Sequence, residues 1–97
     1  MTDAAEADLA DVWATLATEA SAEIATRFVR SIEATFEPLR RFPLSGPARD
    51  LLASGLRVTF RSPYAIYYVA EPDAVVIVRV LHGARDITAI AERGGLT

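Results

Sequence analysis

From residue 3 to residue 39 the apolar positions of the chain recur at intervals of three and four, and from residue 56 to residue 81 they tend to fall at every second place. The first interval is that of a helix with one buried stripe, the second that of a strand with one buried face. Leu9, Val12, Trp13 and Leu16 make a first stripe, and Asp3 and Glu6 have capping-box spacing, so a helix is predicted over residues 3–18. Ser21 is a good N-cap, and behind it Ile24, Phe28, Ile32, Phe36 and Leu39, widened by Val29, fall on a second stripe. The connection between the two helices is short enough to fold them back as an antiparallel hairpin. Their stripes must then share a third layer, because neither helix can bury itself alone. Pro38 has no amide donor and clashes with the preceding turn, so the second helix is expected to kink there and continue to Arg41.

Pro43-Leu44-Ser45-Gly46-Pro47 interrupts the helical period. Beyond it Leu56, Val58 and Phe60 alternate with Arg57, Thr59 and Arg61, which predicts a strand with its apolar face in a core and its arginines towards solvent or a partner. A second strand from Tyr64 to Ala70 follows Ser62-Pro63, and the turn Glu71-Pro72-Asp73 leads into a third from Val75 to Leu81. Val75-Val76-Ile77-Val78 is apolar on both faces, so this third strand is expected at the centre of the sheet. The hairpin would cover one of its sides, and the other would be partly covered. A short helix over 84–92, stopped by Gly94-Gly95, completes the chain. The predicted class is α+β: one domain over 1–97, with an N-terminal antiparallel helix hairpin on a three-stranded antiparallel sheet and a short C-terminal helix.

Composition narrows what such a domain does. Ninety-seven residues suffice for one core and exclude a multidomain enzyme. The chain has no cysteine and a single histidine, which removes disulfides and thiol catalysis and leads us to expect neither a metal nor a cofactor. No apolar run approaches a membrane span, and the acidic start Thr2-Asp3-Ala4-Ala5-Glu6 has no basic leader, so a cytoplasmic location without membrane association is expected. The net charge of −3 is uneven: residues 1–37 hold eight acids and two arginines, residues 38–97 five acids and eight arginines. That second half suits an acidic partner. It is too sparse in cations for a dedicated nucleic-acid binder, so sequence-specific nucleic-acid binding is not expected.

The succession of helix hairpin, Pro/Gly loop, Gly55-Leu56-Arg57, Tyr64-Ala65-Ile66-Tyr67-Tyr68 and Val78-Arg79-Val80-Leu81-His82-Gly83-Ala84-Arg85-Asp86 resembles the ParE branch of the RelE/ParE toxin family over roughly residues 3–88. The last string is its most specific part. The resemblance implies the toxin of a bacterial type II toxin–antitoxin pair, with a cognate antitoxin as partner in a hetero-oligomer or alongside a homo-oligomer. Its ParE branch is known for poisoning DNA gyrase, and its RelE branch for cleaving ribosome-bound messenger RNA. Family members usually open with a short strand before the first helix. Here that strand is apparently missing, so a bare sheet edge is expected, to be covered by an antitoxin or a second copy.

RNA cleavage through the 2′-hydroxyl needs a base, an acid and cations around the phosphorane. Arg57, Arg61, Arg79 and Arg85 offer charge, but guanidinium is a poor base, there is no lysine, and the proton work would fall to His82 alone. The expectation is therefore a non-enzymatic inhibitor, with Arg57, Arg61, Arg79, His82 and Arg85 as target-binding residues. Plainer readings stand beside it: His82 bonding a neighbour, Arg85 and Asp86 as a turn pair with Asp86 capping the last helix, Arg57 and Arg61 as a solvated face. Trp13, Tyr67 and Tyr68 are the residues expected to meet an antitoxin, Trp13 having core as its plainer reading. Neighbours in a strand point oppositely, so Tyr67 and Tyr68 cannot both face the helices. A ribosome-dependent nuclease and a degenerate toxin that only binds antitoxin are the alternatives.

Overall fold

Thr2, rather than Asp3, caps the first helix. In the computed structural model, which describes residues 1–96, Thr2 is extended and its hydroxyl accepts the Ala5 amide at 3.0 Å, capping α1 (Asp3–Glu19). The cap thus lies one residue before the predicted capping box. Ser21 caps α2 (Ala22–Glu33) as its position suggested, accepting the Ile24 amide at 3.1 Å. The kink expected at Pro38 does not occur. Instead α2 ends at Glu33 and a separate short helix, α3 (Phe36–Arg41), starts beyond Thr35. Pro38 then lies in a first turn, where an amide donor has no helical partner to lose.

Strands β1 (Leu56–Arg61), β2 (Tyr64–Glu71) and β3 (Ala74–His82) form an antiparallel meander in the order β1-β2-β3. The central strand is β2, so the placement of Val75 to Leu81 at the centre is corrected: β3 is an edge. Its double-sided apolar pattern has another cause, because both faces of the sheet carry a core. On one face Ala5, Leu9 and Val12 of α1, Ile32 of α2 and Leu39 of α3 pack with Ile66, Tyr68, Ile77 and Val80. On the other, Leu56, Val58, Tyr67, Val78 and Leu81 surround Leu96, flanked by Ile87 and Ile90 of α4 (Ile87–Glu92). A fully buried side chain such as Ile66 or Leu96 contributes about 2 kcal/mol by leaving water.

This arrangement bears out the reading of β1 in part. Leu56 and Val58 feed the second core, while Arg57 and Arg61 lie opposite Tyr68 and Tyr64 on the helix side. They remain half-buried because the helices pack mainly on β3. Phe60, expected in a core, is 60% exposed. Trp13 also leaves the core reading, at 40% exposed, with its indole N–H donating to the Thr26 hydroxyl across the hairpin at 3.0 Å. The buried stripe of α1 runs instead through Ala5, Asp8, Leu9 and Val12.

An edge strand turns half of its backbone groups away from its neighbour. On β3 the start of α1 takes them up. The Thr2 amide donates to the Ile77 carbonyl at 2.9 Å, the Thr2 hydroxyl donates to the Val78 carbonyl at 2.7 Å, and the Asp8 carboxylate accepts the Val80 amide at 2.9 Å. The same carboxylate accepts two N–H groups of Arg79 at 2.7 and 2.9 Å. The edge expected to stand bare is therefore covered between Ile77 and Val80 by a helix cap and a carboxylate.

Asp8→Ala would strand the largely buried Arg79 charge, leaving one backbone and two side-chain donors without their acceptor. It is expected to cost about 3 kcal/mol of unfolding free energy, measured from urea transitions. Glu37→Ala breaks a pair with Arg40 whose side chains are 66% and 69% exposed, and is expected to cost less than about 0.5 kcal/mol. Equal losses would overturn the role given to Asp8.

Candidate functional site

Arg57 and Tyr68 are cross-strand partners, and together they hold the 43–47 loop. The Tyr68 hydroxyl donates to the Pro43 carbonyl at 2.8 Å and accepts the Gly46 amide at 3.0 Å. Arg57 donates to the carbonyls of Leu44 at 3.2 Å and Gly46 at 2.8 Å. A side chain at Gly46 would collide with the Val58 carbonyl and sit 2.7 Å from the Tyr68 hydroxyl, so only glycine allows this approach. Beyond the loop, the Val58 amide donates to Pro47 and the Arg49 amide to Leu56, closing part of the β1 edge.

These contacts change the antitoxin-facing set. Tyr68 is fully buried, and Tyr67 is buried in the second core, on the opposite face of the sheet. Neither presents surface to a partner, which corrects both assignments: the phenols are consumed by packing and loop tethering. Burial pushes the Tyr67 phenol above its ordinary value of 10.0, partly offset by the nearby Arg49 charge. Trp13 keeps surface on the hairpin, and Ile24 of α2 is exposed as well.

Arg79 is similarly committed. Its guanidinium makes the two bonds to Asp8 and a third contact to the Gly95 carbonyl at 3.3 Å, with its side chain 18% exposed. The hydrogen bond to Asp8 holds its pKa above the usual arginine value, while burial pulls the other way. The target-binding assignment for Arg79 is thereby corrected to a structural one. Asp8 itself was missed by the sequence reading. Its signal was an acid inside an apolar stripe, three residues after Ala5 and four before Val12.

Arg61, Tyr64 and His82 form one cross-strand row at the end of the sheet. The Arg61 guanidinium lies over the Phe28 ring at 5.0 Å, Phe28 meets Tyr64 at 5.7 Å, and Tyr64 meets His82 edge to face at 5.4 Å. The Nδ1 atom of His82 accepts the Ala84 amide at 3.0 Å. An amide can only donate, so Nδ1 supplies the lone pair and the neutral ring carries its proton on Nε2. Arg85 closes the turn through its backbone amide to the His82 carbonyl at 2.9 Å. Its exposed guanidinium borders a cavity of about 150 Å³ together with His82, Tyr64, Asp11 and Thr15. Asp86 caps α4, accepting the Ala89 amide at 3.1 Å.

The structure thus gathers Arg61, His82 and Arg85 at one rim, leaves Arg57 at the opposite end of β1, and turns Arg79 around the β3 edge. The rim suits an anionic or polar partner: cations and an Nε2–H donor face outward. Among the described residues no group of three or more histidines and acids is placed to hold a metal ion, and no helix is long and apolar enough to cross a membrane.

Comparison with known proteins gives a consistent picture. The family model for the ParE toxin of type II toxin–antitoxin system, parDE, matches residues 1–87. Toxin ParE3 of Caulobacter vibrioides is 33% identical over 67 residues, which span 69% of this chain and 67% of that protein. A solved structure, described as the chromosomal ParDE TA system from P. aeruginosa, superposes with a TM-score of 0.72 over 84% of this chain and 89% of that one. At 23% identity that likeness is one of fold.

Tyr68→Phe removes one donor and one acceptor and leaves the Pro43 carbonyl and Gly46 amide unsatisfied, an expected cost of about 1–2 kcal/mol in urea unfolding. The raised Tyr67 value carries a sign: its neutral phenol favours the folded state below the ordinary value of 10.0, and that contribution is lost as pH climbs through the folded value. Stability is expected to fall with alkaline pH from there, and less steeply in Tyr67→Phe, when urea midpoints are compared across the range.

Proposed function

This chain belongs to the ParE toxin family of type II toxin–antitoxin systems, and from that premise we propose that it acts by binding DNA gyrase without chemistry of its own, held in check by a cognate antitoxin. The observation that carries the non-enzymatic reading is the state of His82. Its Nδ1 lone pair is taken by the Ala84 amide, so the face it offers outward is a donor. A general base for a 2′-hydroxyl needs a free lone pair there. Recruiting one would require the other tautomer and loss of the turn bond. The remaining outward groups, the guanidinium groups of Arg61 and Arg85, are permanently protonated and suited to gripping carboxylates or phosphates. The antitoxin part rests on the family, and Trp13 and Ile24 offer apolar surface on the hairpin for such a partner.

A ribosome-dependent messenger RNA nuclease is the second reading, favoured by the cavity that joins His82 with Arg85, Tyr64 and Asp11. The two separate cleanly. Purified protein is expected to block gyrase supercoiling and leave RNA intact. Joint reversal of Arg61 and Arg85 to glutamate is expected to weaken inhibition by about tenfold or more, the loss of two charge-assisted contacts, while His82→Ala has little effect. Normal supercoiling at stoichiometric excess would overturn the proposal. Transcript ends mapped by primer extension after induction, and abolished by His82→Ala, would establish the nuclease instead.

A further inference from the structure

Two side chains of the sheet fix the backbone of the 43–47 loop. The hydroxyl of the fully buried Tyr68 bonds Pro43 and Gly46, and the Arg57 guanidinium bonds Leu44 and Gly46. The Ser45 amide donates to the Phe42 carbonyl at 3.0 Å and tightens the start of the loop. Yet the apolar side chains carried by this backbone stay in water: Phe42 is 64% exposed and Leu44 66%. Packing gains nothing from holding them there. A loop fixed in this way has already lost the conformational freedom that binding would otherwise remove. Large apolar side chains presented on such a loop are fit to anchor an interface.

The surroundings say what they would anchor. Residues 38–61 hold five of the ten arginines and one acid, Asp50, in a chain whose net charge is −3. Asp50 is turned back into its own loop, accepting the Gly55 amide at 2.9 Å. Of the five arginines only Arg40 has an ion-pair partner among the described residues, the exposed Glu37. Leu51 and Phe60, both exposed, add to the apolar surface of the same stretch. Ala48 bridges Arg57 in antiparallel sense, which carries Leu44 toward the Phe60 end of β1. Phenylalanine and leucine beside arginine is the chemistry of a protein interface. A nucleic-acid backbone would engage the cations and leave the apolar groups in water. A second copy would set the unpaired arginines against their own images. An acidic protein surface with an apolar centre satisfies both features.

We propose that the tethered loop is a pre-formed anchor through which the chain grips an acidic surface of its protein target, with Phe42 and Leu44 as the contacts and Arg57 and Tyr68 as positioning residues. The inference rests on the toxin reading above and names the residues by which the target is held. Phe42→Glu combined with Leu44→Glu, both at exposed positions, is expected to keep the urea midpoint and to need about tenfold more protein to block gyrase supercoiling. The same pair changed to lysine loses the apolar surface but gains attraction to an acidic partner, so its loss is expected to be smaller. Arg57→Lys keeps the charge and loses the fork; it is expected to speed amide exchange at Gly46 and weaken inhibition together. Weaker inhibition with unchanged Gly46 exchange would overturn the positioning role. Equal losses in the glutamate and lysine pairs would overturn the acidic partner. Inhibition undiminished in both would overturn the anchor and leave the gyrase reading standing, and full inhibition with lost antitoxin binding would do the same by assigning the loop to the antitoxin. An unmodified chain that arrests growth yet leaves gyrase untouched would overturn the gyrase reading alone. The variants would then be read on growth arrest, where the order unmodified, lysine, glutamate supports the anchor and equal arrest by all three overturns it.

Discussion

The Asp8 carboxylate is the contact on which the arrangement of the domain depends. It accepts the Val80 amide and two N–H groups of Arg79, and Arg79 reaches on to the Gly95 carbonyl. One buried charge pair therefore ties the first helix, the edge strand and the C-terminal segment together. A carboxylate taken out of water is tolerated only when its lone pairs are filled. That requirement sets the position of α1 along β3: a shift by one residue would leave Asp8, Arg79 and the Val80 amide all unsatisfied. Hydrophobic packing alone would not be so selective, since Ala5, Leu9 and Val12 would accept several neighbouring registers.

From this follows the division of the sheet into two differently covered faces. The helix hairpin sits over β2 and β3, and the C-terminal residues sit over the opposite face with Leu96 as the buried plug. Neither cover reaches the far end of β1. Phe60 is left outside there, beside the half-buried Arg61, with His82 and Arg85 at the adjoining rim. The chemistry of this surface, which no core has claimed, is that of cations beside exposed apolar groups. At the same rim the turn that ends β3 engages the His82 Nδ1 lone pair through the Ala84 amide.

Much of the fold was legible because it is local. The period of apolar residues marked the helices and strands, Ser21 and Asp86 marked two helix starts, and the glycine and proline cluster at 43–47 marked the change from helix to sheet. The family string from Val78 to Asp86 led to the toxin class. The errors share a different origin. Val75 to Val78 read as central because burial on both faces looks the same whether a strand lies at the centre or at an edge covered twice. Trp13 read as core, although Asp8 occupies the stripe position that a sequence pattern would give to an apolar residue.

Arg57, Arg61 and Arg79 read alike along the chain, yet they have three fates: a loop tether, a cation over the Phe28 ring, and half of a buried ion pair. The chain alone determined its elements, their order, and which faces of them are apolar, since these depend on neighbours within a few residues. Tertiary structure decided which strand is central, which charges are spent and which tyrosines are reachable. Those outcomes depend on groups brought together from as far apart as Asp8 and Val80, and no local pattern records which of several similar arginines will meet the one acid that lies within the core.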